Sequence, residues 1–204
     1  MNATRIVIFD CDGVMFDTAN INKAYYNRVL TFMGRPEMTA EQFNYVHAHT
    51  GDESIAYLFD DEENFARAQA FRSTMNYREF IPGMEIEPHL KPLIASIKPH
   101  LKTAIVTNRT DTMPDIMTTF ELEDHFDMVV TAWDVERPKP DPEGLLKVLG
   151  HFRLRPDEAL YIGDTHVDEA AAAAANVPFV AYGNPSLKAD HHVQHLGEIR
   201  NILS

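Results

Sequence analysis

With 204 residues, 45% of them hydrophobic and 24% charged, the chain can bury a proper core and has the composition of an ordinary soluble globular protein, which excludes a disordered or fibrous one. A net charge of -13 without a dense Lys/Arg cluster excludes a surface built to neutralise nucleic-acid phosphates. The single cysteine, Cys11, excludes a disulfide framework or a thiolate metal cage. Together with a start that shows neither a signal peptide nor a membrane span, this sets the expectation of a cytoplasmic protein.

The first predicted element is a strand over residues 5–9, in which Ile6-Val7-Ile8-Phe9 runs into Asp10-Cys11-Asp12-Gly13. A buried strand that ends in two carboxylates is costly unless they are paired, hydrogen-bonded or bound to a cation. Taken alone, the two acids fit an ordinary acidic turn equally well. Residues 17–81 then show apolar positions at helical spacing, such as Phe65, Ala68, Met75 and the stem of Arg72, and no strand. This predicts a helical insertion, hinged at residues 16–18 and at Pro82-Gly83. From there helices over residues 88–98, 111–121, 142–149 and 168–175 alternate with strands over 103–106, 128–131, 159–162 and 179–181. Such alternation implies an α/β fold: a doubly wound, Rossmann-like parallel sheet over residues 1–16 and 82–204, with a helical cap over 17–81. The run Ala170 to Ala175 behind Asp168-Glu169 predicts a helix lying close on the sheet, its acids at the positive end.

Ligands of doubly wound sheets bind beyond the carboxyl ends of the strands, so the polar residues following each strand decide the chemistry. Asp10 and Asp12 follow the first strand, Thr107-Asn108 the second, and Gly163-Asp164 and then Asp168 the fourth, while Arg137-Pro138-Lys139-Pro140 precedes the fourth. Four carboxylates on one rim cannot all ionise without a cation, and an all-oxygen donor set favours Mg²⁺. Lys139 and Thr107 offer charge and a donor to a phosphoryl group, so carboxylate, metal and lysine together point to phosphoryl transfer.

Asp10-Cys-Asp12-Gly13-Val-Met-Phe-Asp17, Val106-Thr107-Asn108, Lys139-Pro140-Asp141-Pro142 and Gly163-Asp164-Thr-His-Val-Asp168 resemble, in order, the four motifs of the haloacid dehalogenase superfamily. The insertion falls where the phosphoglycolate phosphatase and β-phosphoglucomutase branch carries its helical cap. The resemblance implies that Asp10 attacks phosphorus to form an aspartyl-phosphate, and that Asp12 protonates the leaving alkoxide and then deprotonates the attacking water. It implies that Thr107 and the Asn108 backbone hold phosphoryl oxygens and that Lys139 neutralises charge. Mg²⁺ would be held by Asp10, the Asp12 carbonyl and Asp164, with Asp168 in support behind them.

Plainer roles compete with some of these. Lys139 alone suits a solvated loop, Asp168 suits a helix N-terminus, Asp17 suits either helix entry or hinge, and Cys11 suits a small core position. His47, His49, His191 and His192 lack further metal ligands at a recognisable spacing and are expected to be solvated. His166, inside the fourth motif, and Thr50-Gly51, in the cap, are candidate substrate neighbours.

Asp12 disfavours dehalogenation, and Lys23, the only lysine between Asp17 and Ile81, lies outside the loop where phosphonate cleavage needs one. His47-Ala-His49-Thr50-Gly51-Asp52-Glu53 lacks the basic group of the sugar-phosphate mutases, which makes mutase the runner-up to phosphatase. The same acidic loop disfavours a strongly anionic leaving group unless Arg28, Arg67 or Arg72 faces the cleft. The expected partner is a small phosphorylated metabolite, with neither nucleic acid nor membrane, and the protein itself is expected to be a monomer or homodimer. A non-catalytic binding protein of the same fold would have lost some of Asp10, Asp12, Thr107, Lys139 and Asp164, and all five are present.

Overall fold

A computed structural model describes residues 3–203; Met1 and Asn2, which open the N-terminal stretch considered above, lie outside the described residues. The chain opens with β1 (Ile6–Phe9), whose four residues are all buried. Its side chains alternate between two separate apolar layers: Val7 and Phe9 enter one, Ile6 and Ile8 the other. A strand apolar on both faces belongs at the centre of a covered sheet. There β1 pairs in parallel with two neighbours, Phe9 standing opposite Ile105 on one side and Ile162 on the other.

After β1 the chain forms β2 (Phe16–Asp17) and then α1 (Ala19–Phe32), α2 (Ala40–Ala48), α3 (Gly51–Leu58) and α4 (Glu62–Thr74). Thr39 and Thr50 start α2 and α3 with reciprocal capping boxes to Gln42 and Glu53. The four helices share an apolar cluster of their own, centred on Val29, Leu30, Ile55 and Ala68, with Phe65 and Met75 packed against it. The chain returns through a tight turn at Ile81–Gly83 into β3 (Glu85–Ile86), which pairs antiparallel with β2. The sequence predicted turns at both crossings; the structure joins them in one two-stranded ribbon. Two residues per strand are too few to leave a period-2 pattern.

The remainder alternates: α5 (Leu90–Ile97), β4 (Lys102–Val106), α6 (Met113–Thr119), β5 (Met128–Val130), α7 (Glu143–Phe152), β6 (Ala159–Gly163), α8 (His166–Ala175), β7 (Phe179–Tyr182), β8 (His191–Val193) and α9 (Ile199–Leu203). The sheet order β5-β4-β1-β6-β7-β8 is parallel throughout, so the fold is doubly wound α/β. Helices α5, α6 and α9 cover one face, while α7 and α8 cover the other. In α8 the alanines Ala171, Ala172 and Ala175 are buried against the sheet. The edge strand β8 escaped prediction because His191 and His192 are exposed and only Val193 is buried. No helix among the described residues is long and apolar enough to cross a membrane.

Candidate active site

Every chemically loaded loop named above leaves the same edge of the sheet. Asp10 follows β1, Thr107 follows β4 and Asp164 follows β6, and because these are the three central strands, their C-terminal ends are neighbours. Lys139 arrives from the loop between β5 and α7, and Asp168 from the first turn of α8. Asp10, Asp12, Thr107, Asn108 and Lys139 line one cavity of about 130 Å³, roofed by residues of α1, α2 and α4.

Lys139 is 4% exposed, and a lysine so buried needs partners. Its Nζ lies 2.8 Å from Asp10 Oδ1 and 2.6 Å from Asp168 Oδ1, and it donates to the Tyr161 hydroxyl at 3.1 Å. Burial works against its charge, but the two carboxylates hold its pKa above the usual lysine value. It is therefore the ammonium at the centre of the site and not a solvated loop lysine. Asp168 is fully buried, and Tyr161 and Thr165 donate to its carboxyl alongside Lys139. Burial raises Asp168, yet Lys139 together with the bonds from Thr165 and Tyr161 keeps the carboxyl below the usual range. With both oxygens engaged by protein donors, it holds the lysine in place.

Asp10 and Asp164 stand differently. Burial pushes Asp10 up to about 7 against the pull of Lys139, and Asp10 Oδ1, although close to that ammonium, makes no well-formed hydrogen bond. Asp164 is driven well above the carboxylate range by burial, then by Asp168 and Asp10, and its Oδ1 is buried without a donor. Carboxylate oxygens of Asp10, Asp164 and Asp168 lie within 4.8 Å of one another. Buried acids with donor-free oxygens and an all-oxygen donor set fit a hard divalent cation. Gly13 makes room for the grouping: with φ 77°, an added Cβ would stand 2.1 Å from Asp164 Oδ2.

The Asp12 side chain turns away from this group. Arg109 grips it in a two-bonded fork, Nε to Oδ2 at 2.7 Å and an Nη to Oδ1 at 2.6 Å, and the Thr18 hydroxyl adds a third bond to Oδ1 at 2.6 Å. Burial raises Asp12, but Arg109, with His47 and Thr18 beside it, brings the carboxyl below its usual pKa. Asp12, expected among the metal ligands, is thus absent from the carboxylate group as a side chain. Arg109 itself escaped the sequence reasoning, although a basic residue two positions after Thr107 was the signal. Tyr161 was missed as well, read only as part of a buried strand.

Several histidine and cap expectations change. His47 is not solvated: it is half-buried, lines the cavity, meets Asn22 at 3.2 Å and lies 3.9 Å from Asp164. His49 stacks on Tyr45. His166 is exposed, pairs with Glu169 and faces a neighbouring cleft instead of the Asp10 cavity. The Asn108 side chain binds the carbonyls of Ala48 and Lys139, bridging the helical segment and the sheet. The two acids in the first turn of α3 are already engaged, Glu53 on the Thr50 cap and Asp52 on Arg72. Arg72 does not pack by its stem alone; its guanidinium lies over Gly51 and lines the cavity. Arg72, Arg109 and Lys139 all line the cavity, so of the three arginines that the sequence left open to face the cleft, Arg72 does so. Cys11 is buried in the core, and burial pushes its thiol far above the range in which it would react.

The sequence matches the family described as haloacid dehalogenase-like hydrolase over residues 7–182. It is 26% identical over 188 residues to a phosphoglycolate phosphatase of Photorhabdus laumondii, covering 88% of this chain and 80% of that protein. It is 35% identical over 112 residues to the pyrophosphatase PpaX of Bacillus cereus, covering 50% of this chain and 52% of that protein. Among solved structures, a HAD-superfamily hydrolase, subfamily IA, variant 1, from Geobacter sulfurreducens superposes with a TM-score of 0.80 at 39% identity, over 98% of this chain and 97% of that one.

Proposed function

Because the chain belongs to the haloacid dehalogenase-like hydrolases, we propose that it is a Mg²⁺-dependent phosphatase of a small phosphorylated metabolite, working through an aspartyl-phosphate. The observation that carries this reading is the buried Asp10–Lys139–Asp168 grouping beside donor-free Asp164, at the junction of three central strand ends. Asp10, the Asp12 carbonyl and Asp164 would hold the Mg²⁺, whose chemistry there is to offset negative charge on the phosphoryl oxygens. Asp10 attacks phosphorus and forms the acyl-phosphate bond as the bond to the leaving oxygen breaks. Thr107 and the Asn108 backbone hold the phosphoryl oxygens, and Lys139 offsets the charge that develops on them. Asp12 supplies the proton to the leaving oxygen and takes one from the water that then cleaves the acyl-phosphate, releasing inorganic phosphate and restoring Asp10. Residues 17–81 act as the cap that closes over the substrate and limits bulk water, in a protein of the cytoplasm.

The test is hydrolysis of p-nitrophenyl phosphate with and without Mg²⁺, followed by a screen of phosphorylated metabolites scored by kcat/KM. Mg²⁺-dependent release of free phosphate, with acid-stable label trapped on the wild type and lost in Asp10→Asn, is the expected result. Substantial turnover by Asp10→Asn sinks the nucleophile assignment, and inactivity under every divalent ion favours a binding protein. An isomerised sugar phosphate with little free phosphate turns the reading into a mutase.

A further inference from the structure

We propose that Arg109 is a positioning residue for Asp12, and that it ties the orientation of the Asp12 carboxyl to the seating of the helical segment on the sheet. The inference rests on the acid–base role given to Asp12 above. The Arg109 side chain is 8% exposed, and a guanidinium that deeply placed is tolerated only when its donors are used. They are. The fork to both Asp12 oxygens, at 2.7 and 2.6 Å, fixes the plane of the carboxyl, which a single bond does not do. A further Nη–H is donated to Thr112 Oγ1 at 3.1 Å, anchoring the guanidinium at the entry to α6.

The remaining contacts lead out of the sheet. Arg109 donates to the Tyr77 hydroxyl at 3.1 Å and lies 5.0 Å from the centre of that ring. Tyr77 donates to Asn22 Oδ1 at 2.6 Å, and Asn22 meets His47 at 3.2 Å. Tyr77, Asn22 and His47 all belong to the inserted segment and all line the Asp10 cavity. Asp12 stands directly before the turn at Gly13, where a carboxyl left alone swings freely. One connected set of bonds therefore aims this carboxyl, and Tyr77, Asn22 and His47 bring the inserted segment into it.

A carboxyl that must reach first a leaving oxygen and later a water loses efficiency when its aim is loosened. The loss falls on steps that use Asp12 and spares those that do not. p-Nitrophenolate departs without being protonated, so with p-nitrophenyl phosphate only breakdown of the phosphoenzyme depends on Asp12.

The test is a rapid-quench measurement on the full chain with p-nitrophenyl phosphate and Mg²⁺, following formation and breakdown of the phosphoenzyme separately. In Arg109→Ala, formation stays within about threefold of wild type while breakdown falls at least about tenfold, the lower end of what acid–base positioning supplies. Added guanidinium ion restores part of the lost breakdown rate. Arg109→Lys restores less than the fork, because an ammonium is a point charge. Tyr77→Phe, which cuts only the cap link, slows the same step by a smaller factor. Should Arg109→Ala fail to fold, Arg109→Lys is read by the same two rates. Equal loss of both rates without guanidinium rescue, or no loss in either, overturns the positioning role while leaving the phosphatase standing. A wild type that forms no phosphoenzyme overturns the phosphatase reading and this inference with it.

Discussion

Gly13 shows how much one residue decides here. It turns the chain after Asp12 with φ 77°, a conformation that costs other residues about 1–2 kcal/mol, and its missing side chain is the space that Asp164 occupies. Gly13→Ala therefore displaces Asp164. The expected outcome is a protein that still folds but whose half-saturating Mg²⁺ concentration rises at least about tenfold, the scale seen when residues supporting a metal ligand are lost. An unchanged Mg²⁺ titration would show that Asp164 is not a ligand. The sequence made the acids and Lys139 visible because each sits at a strand end or in a motif. Arg109 was marked only by standing two positions after Thr107; its pairing with Asp12, 97 positions away, is one that no local pattern records.

At the scale of elements, two junctions hold the sheet. Asp127, just before β5, accepts from the Thr103 backbone N–H at 2.9 Å and from Lys102 at 2.9 Å, fastening β5 to the start of β4. Burial raises Asp127, but the bonds from Lys102 and Thr103 prevail and its pKa lies below the usual value. A depressed carboxylate stabilises the fold above its unfolded pKa of about 3.9, and that contribution is lost as pH falls through the lower folded value. Asp127→Asn should cost about 1 kcal/mol at neutral pH and flatten the acid limb of stability below about pH 4 in urea unfolding. The second junction is α8, where Ala171 is wholly buried against the sheet. Ala171→Leu has no space and should destabilise by about 1–3 kcal/mol; tolerance of the larger side chain would contradict this close packing. The alanine run itself announced this helix. Strands β2, β3 and β8 left no such mark, since pairing and not pattern defines them: a two-residue ribbon has no period, and β8 buries a single side chain.

For the molecule as a whole, the cavity between the sheet edge and the helical segment continues into a wider cleft of about 490 Å³, bordered by Arg72, Tyr77 and Trp133. Trp133 is the only tryptophan, is 71% exposed and borders this cleft, so the tryptophan emission comes from one residue at its edge. If residues 17–81 close on the core when the site fills, orthovanadate with Mg²⁺ shifts Trp133 emission to the blue, and Trp133→Phe removes the signal. A shift of equal size in Asp10→Asn without Mg²⁺ would detach the motion from the site.

By itself the sequence determined the chemistry on offer and the frame that carries it. Apolar runs of period 2 and helical runs of period 3.6 are local signals, and the acids, Thr107 and Lys139 were placed by following those runs to their ends. Only the tertiary structure decided which charges meet. It set Lys139 between Asp10 and Asp168, gave Asp12 to Arg109, left Asp164 without a donor, and brought His47 and Arg72 over the cavity. The reason is physical: burial makes each charge depend on its nearest partner, and nearness across a doubly wound sheet is fixed by strand order, which no short stretch of sequence contains.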